Sequence, residues 1–424
     1  MTHPNDPTRR DLLIGATAGA AALSAPARIS AATPRHVIVV GGGFGGSTAA
    51  KYLRLWGEPS LRVTIIDPKP VHISCVMSNL VLSRTLSLGA LRFPHAGLAS
   101  YGVTFVKDTV IGVDPAAMTV ELKSGAMLSC DKLVLAGGIS FVKPQGWNQR
   151  TAPHAWIAGG QTMQLRNMIE AMPDHGTYIQ TIPPSPYRCP PGPYERACTV
   201  ADILGAKPGA RVILLDANDG IQASKATFTR AFNGLYRGKI EYRSGAELVA
   251  VDAAAGEVHT SLGVFRGDVL NIIPPHRASV VVRRSGAVPK GSHWAPVDPL
   301  SYASTVQGMK NVHIIGDSQG TGQPKSGHMA NAQAKVCADA IVRLLAGQRV
   351  DGISRVRSVT TNSACYSPIT HDKAAWLTAA FAYDETTRQM RLVPASLAES
   401  GSWSRESYAE MFDWANNLWT DTFR

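Results

Sequence analysis

The chain has 424 residues, of which 45% are hydrophobic and 17% charged, so its composition excludes extended disorder and its length exceeds what one core organises. We therefore predict two or three globular domains. The formal charge of +11 favours an acidic partner, and nucleic acid is disfavoured in that role because the N-terminus resembles an export signal.

Residues 1–32 are predicted to be an export signal. They contain Thr8-Arg9-Arg10-Asp11-Leu12-Leu13, a weakly apolar run from Ile14 to Ala25, and the small residues Ser30-Ala31-Ala32, a pattern that resembles a twin-arginine signal. A membrane anchor is the alternative, but a run of about 12 residues is shorter than the ~20 that span a bilayer. We expect a periplasmic protein without a direct membrane span, whose charge falls only to +10 once the signal is removed.

The segment after the signal has the features of a dinucleotide-binding unit. Its parts are a strand from His36 to Val40, the run Gly41-Gly42-Gly43-Phe44-Gly45-Gly46, a helix from Ser47 to about Trp56, a strand from Arg62 to Ile66, and Asp67. Gly41 permits a tight turn, Gly43 lets the backbone approach a pyrophosphate, and Gly46 lets the helix pack closely. Asp67 stands where a carboxylate accepts the ribose hydroxyls.

Two later segments predict that the nucleotide is FAD. Asp131–Gly138 is a strand that enters a glycine turn, and Val312–Asp317 is another that ends in Gly316-Asp317. The pattern resembles the disulfide reductase type of flavoprotein, in which such segments close the FAD domain and the Gly-Asp carboxylate holds the ribityl chain.

A second α/β unit comes next along the chain, and it lacks a nucleotide loop. Its first strand is about Thr177 to Thr181, and the next is Arg211 to Leu215 with Asp216 at its end, which resembles an NADH domain. The loop after the first strand, residues 183–193, is rich in proline where a nicotinamide enzyme needs glycine. Prolines have no N–H, so we expect that this loop has lost NAD and kept Cys189.

The six cysteines divide into two groups on sequence alone. Cys75 either lies along a flavin or is a buried thiol, and spacing by itself favours the buried thiol. Cys189 is held in the rigid proline loop, and Cys365 is predicted to lie in a loop after a helix, free to meet a distant cysteine. The remaining three are interpreted as packing residues: Cys130 before a buried strand, Cys198 at the start of a helix, and Cys337 on an apolar helix face.

Three groups of residues resemble one known family. They are the loop from Pro186 to Cys198, Pro324-Lys325-Ser326-Gly327 with the run from Asn331 to Val336, and the C-terminal Trp414-Ala415-Asn416-Asn417 with Asp421-Thr422-Phe423. From about His36 to Phe423 the chain resembles the flavoprotein subunit of flavocytochrome c sulfide dehydrogenase. The resemblance implies that Cys75 is joined by a thioether to the flavin 8α carbon, and that Cys189 and Cys365 form a redox disulfide beside the ring.

The implied reaction begins with attack of hydrosulfide on the Cys189–Cys365 bridge, which leaves a persulfide and a thiolate that reduces the flavin. Arg188 either stabilises the leaving thiolate or is a surface charge, and Glu195 either moves a proton or caps a helix dipole. The helix beginning near Ser326 is expected to stabilise the reduced flavin. Because the chain carries no Cys-x-x-Cys-His site, the resemblance implies that a c-type, dihaem cytochrome subunit accepts the electrons as the partner in a heterodimer.

The fold class expected from these features is α/β, with two Rossmann-like domains of the glutathione reductase type and a C-terminal α+β interface domain. The domains predicted after the signal are an FAD domain (35–145 and 295–350), an NAD-like domain (146–294) and a flavin-capping domain (351–424). No metal site is expected. The catalytic candidates are Cys189, Cys365 and Glu195, and the cofactor candidates are Gly41, Gly43, Gly46, Asp67, Cys75, Val110, Ala136, Gly137, Asp317, Lys325, Ser326 and Trp414.

Three alternatives stay open on the sequence alone. A sulfide:quinone oxidoreductase shares the fold and docks on a membrane, which an amphipathic helix near Tyr408 to Trp419 would permit. An NADH-dependent disulfide reductase is disfavoured by the proline loop. A subunit that keeps FAD as a relic without turnover is disfavoured by the presence of Cys75, Cys189 and Cys365.

Overall fold

The first dinucleotide unit is built on a parallel sheet whose central strands are buried. The computed structural model describes residues 34–424, so the predicted export signal lies outside the described residues. The elements up to residue 145 are β1 (His36–Val40), α1 (Phe44–Trp56), β2 (Arg62–Asp67), β3 (Val71–Ile73), β4 (Arg92–Pro94), β5 (Val103–Lys107), β6 (Val110–Asp114), β7 (Thr119–Leu122), β8 (Met127–Ser129), β9 (Lys132–Leu135) and β10 (Ile139–Phe141).

The second unit has the same plan with a different loop after its first strand. Its elements, up to residue 294, are α2 (Gly160–Ala171), β11 (Thr177–Ile182), α3 (Gly192–Ile203), β12 (Arg211–Asp216), α4 (Lys225–Arg230), β13 (Ile240–Ser244), β14 (Leu248–Asp252), β15 (Glu257–Thr260), β16 (Gly263–Arg266), β17 (Val269–Asn271), β18 (His276–Ala278) and α5 (Val280–Arg284).

The remaining elements complete the first sheet and add an antiparallel sheet with a long helix. They are β19 (Val312–Ile314), α6 (Gly327–Leu345), α7 (Ile353–Val356), β20 (Thr360–Pro368), β21 (Ala374–Asp384), β22 (Gln389–Leu392), β23 (Ala398–Glu399) and α8 (Arg405–Phe423). No helix among residues 34–424 is both long enough and apolar enough to cross a bilayer.

Two parallel sheets organise the described chain. The first has the strand order β19-β9-β1-β2-β5, and the second has the order β13-β12-β11-β17. Helices cover the faces of such sheets, which explains why every residue of β1, β9 and β11 is buried. The carboxyl ends of β1 and β11 lead into the two loops that carry the predicted site residues. The α/β fold class is therefore confirmed.

The antiparallel sheet β20-β21-β22, with β23 also paired to β21, carries one of the candidate cysteines. Cys365 pairs with Leu377 across β20 and β21. The prediction that Cys365 lies in a loop is therefore wrong. Its segment, Asn362 to Ser367, has no continuous apolar pattern, because one face of the strand lines cavities rather than a packed core.

Two helix boundaries also differ from expectation. Helix α1 begins at Phe44 rather than Ser47, because Gly45 and Gly46 lie inside its first turn, where they allow close packing. Cys198 is in the middle of α3 rather than at its start, and it is fully buried, as Cys337 is in α6. Residues 35–424 form one compact unit, and the predicted division into domains stays a prediction.

Helix α8 fastens the end of the chain to the first unit. Lys51 in α1 donates through Nζ to the carbonyl oxygens of Asp421 (3.1 Å) and Arg424 (2.6 Å). The Asp421 carboxylate accepts from Asn331 Nδ2 and from Lys335 Nζ, each at 2.7 Å, and both donors belong to α6. The C-terminal helix is thus held by polar contacts to α1 and α6 together.

Candidate active site

The loop after β1 forms one end of a long groove. Gly41 has φ +103°, a conformation that favours glycine, and a Cβ on Gly46 would lie 1.7 Å from the Gly41 carbonyl oxygen. At Gly43, in contrast, the only atom within 4 Å of an added Cβ is an imidazole carbon of His72 at 3.6 Å, so the backbone borders open space. Asp67 Oδ2 accepts from the Gly42 N–H at 2.7 Å and fixes the loop.

The groove has a volume of about 1710 Å³ and passes most of the predicted cofactor residues. The nine that line it are Gly41, Gly43, Asp67, Cys75, Val110, Ala136, Gly137, Asp317 and Ser326. Three lining side chains, His72, His95 and Asp317, have buried polar atoms (Nε2, both ring nitrogens and Oδ1, respectively) without a hydrogen-bond partner among the described residues. A long, partly polar ligand such as FAD fits this groove, because it would satisfy such atoms along its length.

Lys325 does not line the groove but binds the neighbouring segment from Asp317 to Gln319. Its Nζ donates to the carbonyl oxygens of Asp317 (2.9 Å) and Gln319 (2.7 Å) and lies 3.7 Å from the centre of the Trp294 ring. Burial lowers the pKa of Lys325 to about 8, against the opposing effect of Asp317. Next to it, the Ser326 hydroxyl accepts from the Met329 N–H at 3.1 Å and begins α6.

A second, smaller cavity brings the three candidate cysteines together. Cys75, Cys189 and Cys365 all line this space of about 790 Å³, and Cys75 also lines the groove. Trp414, predicted as a cofactor residue, lines the cavity rather than the groove. All three cysteines are free thiols in the structure, as are the other three cysteines of residues 34–424.

The three thiols lie in one buried, electrically coupled group. Burial raises the pKa of Cys189 well above its ordinary value, and Cys365, Glu195 and Cys75 raise it further. The pKa of Cys365 is raised to about 11, chiefly by burial, while a hydrogen bond with Ser363 opposes the rise and Glu195 adds to it. Cys189 is therefore influenced by both of the other candidate cysteines.

The proline loop holds Cys189 by its backbone. Cys189 has φ 58°, its N–H donates to the Lys325 carbonyl oxygen at 2.7 Å, and its own carbonyl accepts from Gly192 N–H at 2.9 Å. A Cβ on Gly192 would lie 2.7 Å from Cys189 Sγ, so glycine is required for the sulfur to fit against the start of α3. The neighbouring N–H of Arg188 donates to His276 Nδ1 at 3.0 Å. The loop therefore points its N–H groups at protein rather than at a ligand.

Arg188 is an internal charge rather than a surface charge. Its Nε donates to Asp317 Oδ2 at 2.7 Å, and both side chains are largely buried. Arg188 lines both the groove and the cavity, and it lowers the pKa of the Cys75 thiol against the larger, opposite effect of burial. The residue thus brings a positive charge to the junction of the two spaces.

Glu195 lies in the first turn of α3 but does not act as a simple helix cap. Its Oε1 accepts from Asn79 Nδ2 at 2.7 Å. Burial raises its pKa to about 7, against the opposing effects of the bonds from Asn79 and Ser367 and of the Arg196 charge. A carboxyl group with such a pKa can take or give a proton near neutral pH beside Cys189 and Cys365.

Sequence reasoning missed Arg196 and Asn79, which position the Glu195 carboxyl group. The guanidinium of Arg196 is buried and donates to Asn79 Oδ1, to Asn271 Oδ1 and to the carbonyl oxygens of His154 and Ala155, at 2.7 to 3.0 Å. It also stacks 4.7 Å from the ring centre of Trp156. The sequence offers no local signal for this role, because the partners of Arg196 lie 41 to 117 residues away.

Family models match three successive parts of the chain. Residues 35–160 match the pyridine nucleotide-disulphide oxidoreductase family. Residues 162–274 match the central part of the sulfide dehydrogenase (flavocytochrome c) flavoprotein chain, and residues 358–423 match the flavin-binding part of flavocytochrome c sulphide dehydrogenase.

Individual proteins show similarity of the same kind. The flavoprotein chain of sulfide dehydrogenase (flavocytochrome c) from Chlorobaculum thiosulfatiphilum is 51% identical over 47 residues, 11% of this chain and 96% of that one. The sulfide-quinone reductase of Aquifex aeolicus is 30% identical over 114 residues, so the chain spans about a quarter of that relative's length. The solved structure of the Aquifex aeolicus sulfide:quinone oxidoreductase has a TM-score of 0.73 at 18% identity, covering 92% of this chain and 91% of that one.

Proposed function

The chain belongs to the family of sulfide dehydrogenase (flavocytochrome c) flavoprotein chains, FAD-dependent oxidoreductases that act on sulfide. From this premise we propose that it oxidises hydrosulfide to sulfur or polysulfide through a Cys189–Cys365 disulfide and an FAD bound covalently at Cys75. The observation that carries the proposal is the meeting of these three cysteines around one cavity, at the end of a groove that suits FAD.

The lining of the two spaces suggests the roles of the two cysteines. Cys189 follows Arg188, which lines both the groove and the cavity, so it is assigned as the cysteine that passes electrons to the cofactor. Cys365 lines the cavity but not the groove, so it is assigned as the cysteine that receives the substrate sulfur. Hydrosulfide attacks Cys365 Sγ of the disulfide, the bond to Cys189 breaks, and Cys189 leaves as a thiolate while Cys365 carries a persulfide.

Two charged residues at the cavity have separate roles: one stabilises the thiolate and the other accepts the proton. Arg188 offers a buried positive charge that interacts with Cys189, which stabilises the thiolate released there. Glu195 accepts a hydrogen bond from Asn79, and in its ionised form the Glu195 carboxylate takes the proton from the persulfide. FAD, when bound, supplies an acceptor for two electrons that can release them singly.

The partner and the location form a further part of the proposal. Since the chain carries no Cys-x-x-Cys-His haem site, the single electrons pass to a c-type cytochrome subunit, as the family name flavocytochrome c suggests. The arginine pair of residues 1–32 supports export to the periplasm with the cofactor already bound.

A sulfide:quinone oxidoreductase is the second candidate function, favoured by the likeness to the Aquifex aeolicus structure over nearly the whole chain. The two differ in the acceptor of the electrons. Stopped-flow reduction by sulfide, followed by reoxidation with horse-heart cytochrome c or with a short-chain quinone, distinguishes them. Fast reoxidation by quinone alone would favour the second candidate.

The covalent flavin is tested by the intact mass of the denatured protein. We expect a mass larger by one FAD, which is lost in Cys75→Ala and kept in Cys130→Ala, because Cys130 lies away from both the groove and the cavity. A wild-type mass equal to that of the polypeptide would contradict attachment at Cys75.

A further inference from the structure

One stretch of the chain carries positive charge without any acidic residue. Residues 269–297 include Arg277, Arg283, Arg284 and Lys290 but no Asp or Glu, although the whole chain has 31 acidic residues beside 42 basic ones. The stretch contains β18, α5 and the loop that follows α5. Its charge is therefore not balanced by any neighbour in sequence.

Three arginines of this stretch lie close together around Ala278. Arg283 Nε donates to the Ala278 carbonyl oxygen at 3.1 Å, Arg277 directly precedes Ala278 in β18, and Arg284 follows Arg283 at the end of α5. After burial, the charges of Arg277 and Arg284 are the causes that lower the pKa of Arg283, as neighbouring cations do. Arg277, Arg283 and Arg284 are here named the arginine patch.

The arginine patch has no carboxylate partner among residues 34–424. None of its guanidinium groups forms a salt bridge, whereas the exposed Arg84 and Arg266 are paired with Glu170 and Glu257 at 2.7 and 2.6 Å. In addition, Arg277 Nε is buried without a hydrogen-bond acceptor in the same part of the chain. Unbalanced like charges and an unpaired donor both favour an anionic surface supplied by another molecule.

The arginine patch borders the groove that suits FAD. Residues 279–281 and Arg284 line this groove, and Arg277 and Arg283 are close to them in sequence. No residue of 269–297 lines the cavity of the three cysteines. A molecule bound at the patch would therefore lie beside the cofactor and leave the cavity free for sulfide.

We propose that the arginine patch is the docking site of an acidic protein that takes electrons from the flavin. This inference rests on the proposed function and adds to it the charge of the acceptor and the place where it binds. The unbalanced charge of the patch and its position at the edge of the groove carry the inference. Each reduced flavin loses two electrons, one to each of two acceptor molecules in turn, and releases its protons to solvent.

The test measures how fast the reduced holoenzyme is reoxidised by an acidic probe, plant plastocyanin. Dithionite is added without oxygen until the flavin is just bleached, so the assay does not depend on sulfide oxidation. Stopped-flow absorbance then follows the flavin while two copper(II) centres become copper(I) for each flavin reoxidised. The rate is measured at low ionic strength and again in about 1 M salt, where the Debye length is about 3 Å.

Two variants with the same net charge are compared. The patch variant carries Arg277→Gln, Arg283→Gln and Arg284→Gln. The control variant carries Arg237→Gln, Arg388→Gln and Arg391→Gln, which change three exposed arginines that line neither the groove nor the cavity. Any effect of net charge alone is therefore the same in both variants.

We expect reoxidation by plastocyanin at low ionic strength to be at least about 10-fold slower in the patch variant than in wild type, because electrostatic steering is lost. The control variant should stay close to wild type. The difference should disappear in about 1 M salt, since exposed charges are then screened. Reoxidation by horse-heart cytochrome c, a basic protein, should not become slower in the patch variant.

Three results would overturn the inference. Equal plastocyanin rates in the patch and control variants would show that the position of the charges is irrelevant. A lower ratio of flavin to protein absorbance in the patch variant would assign the arginines to the pyrophosphate of the cofactor. Binding to phosphatidylglycerol vesicles that only the patch variant loses, with plastocyanin rates unchanged, would assign the patch to a membrane surface.

Failure of the proposed function is read separately. Sulfide is added to the oxidised wild-type holoenzyme, and absence of bleaching there would refute sulfide oxidation. The plastocyanin assay starts from flavin reduced by dithionite, so its result is independent of that outcome.

Discussion

At the scale of single residues, burial without a full counter-charge determines how Glu195 behaves. The carboxyl group has one close amide partner, Asn79, and a buried arginine, Arg196, that is occupied by four other acceptors. Desolvation therefore outweighs these interactions and raises the pKa of Glu195 to about 7. The same network holds the carboxyl group beside the two thiols that are proposed to react.

The pH dependence of turnover can be predicted from this pKa. Only the ionised carboxylate accepts a proton, so kcat at saturating sulfide should fall as the pH is lowered through about 7. Glu195→Gln should lower kcat by about 10²- to 10⁴-fold, the range typical of a general base, and remove this limb. Glu406→Gln, in an exposed first turn of α8, is the control. An unchanged limb in Glu195→Gln would assign the titration to another group.

Arg196 is expected to be essential for stability rather than for chemistry alone. Arg196→Met would leave Asn79, Asn271 and two carbonyl oxygens buried without their donor, and each such loss costs about 1 to 3 kcal/mol. We expect a fall of at least ~3 kcal/mol in the free energy of unfolding by urea. Arg230→Met, which removes an exposed stacking contact with Trp403, should cost less than ~1 kcal/mol. Equal effects of the two changes would contradict the role assigned to the network.

At the scale of elements, the function depends on the loop that leaves the first strand of each parallel sheet. After β1 the chain turns at Gly41 and enters α1 through closely packed glycines, which leaves the backbone open to a ligand at Gly43. After β11 the corresponding loop is rich in proline, and its N–H groups at Arg188 and Cys189 are already bonded to His276 and Lys325. One plan of strand, loop and helix thus supports a cofactor in one unit and a cysteine in the other.

The two neighbouring glycines of α1 should respond very differently to an added methyl group. A Cβ on Gly46 would lie 1.7 Å from the Gly41 carbonyl oxygen, whereas one on Gly45 would lie 3.4 Å from Ile315, an ordinary contact. Gly46→Ala should therefore separate α1 from β1 and yield protein without FAD, and Gly45→Ala should keep the cofactor. The ratio of flavin to protein absorbance checks both, and a full flavin content in Gly46→Ala would contradict this packing.

At the scale of the whole molecule, the two sheets place the groove and the cavity so that they meet at Cys75 and Arg188. Electrons proposed to enter at the Cys189–Cys365 pair would pass to the flavin from Cys189, which lies in the loop at the second unit's nucleotide position. The proline loop occupies that position, so the molecule is arranged to receive electrons from sulfur rather than from a nicotinamide.

This arrangement predicts the response of the purified holoenzyme to two reductants. NADH should not bleach the flavin, because the loop after β11 is rich in proline and its N–H groups at Arg188 and Cys189 are already bonded to protein, whereas sulfide should bleach it within the mixing time of a manual assay. Visible absorbance under anaerobic conditions is the measurement. Bleaching by NADH at a rate comparable with that by sulfide would favour the disulfide reductase alternative.

Strand β1 was predictable from the sequence because it is an apolar run that leads directly into glycine, and the predicted strand coincides with the observed one. The prediction for Cys365 was wrong because β20 faces a cavity on one side and a groove on the other, so it lacks the apolar alternation of a packed strand. Arg196 and Asn79 could not be paired at all, since 117 residues separate them and no local pattern indicates such a contact.

The clamp between Lys51 and the end of α8 joins atoms that are 373 positions apart. Lys51 therefore gains these acceptors only after the segment up to Arg424 has been synthesised and has folded back onto α1. Long-range contacts of this kind make assembly late and slow. The packing of α8 against α1 is consequently expected to be among the last contacts of the described chain to form.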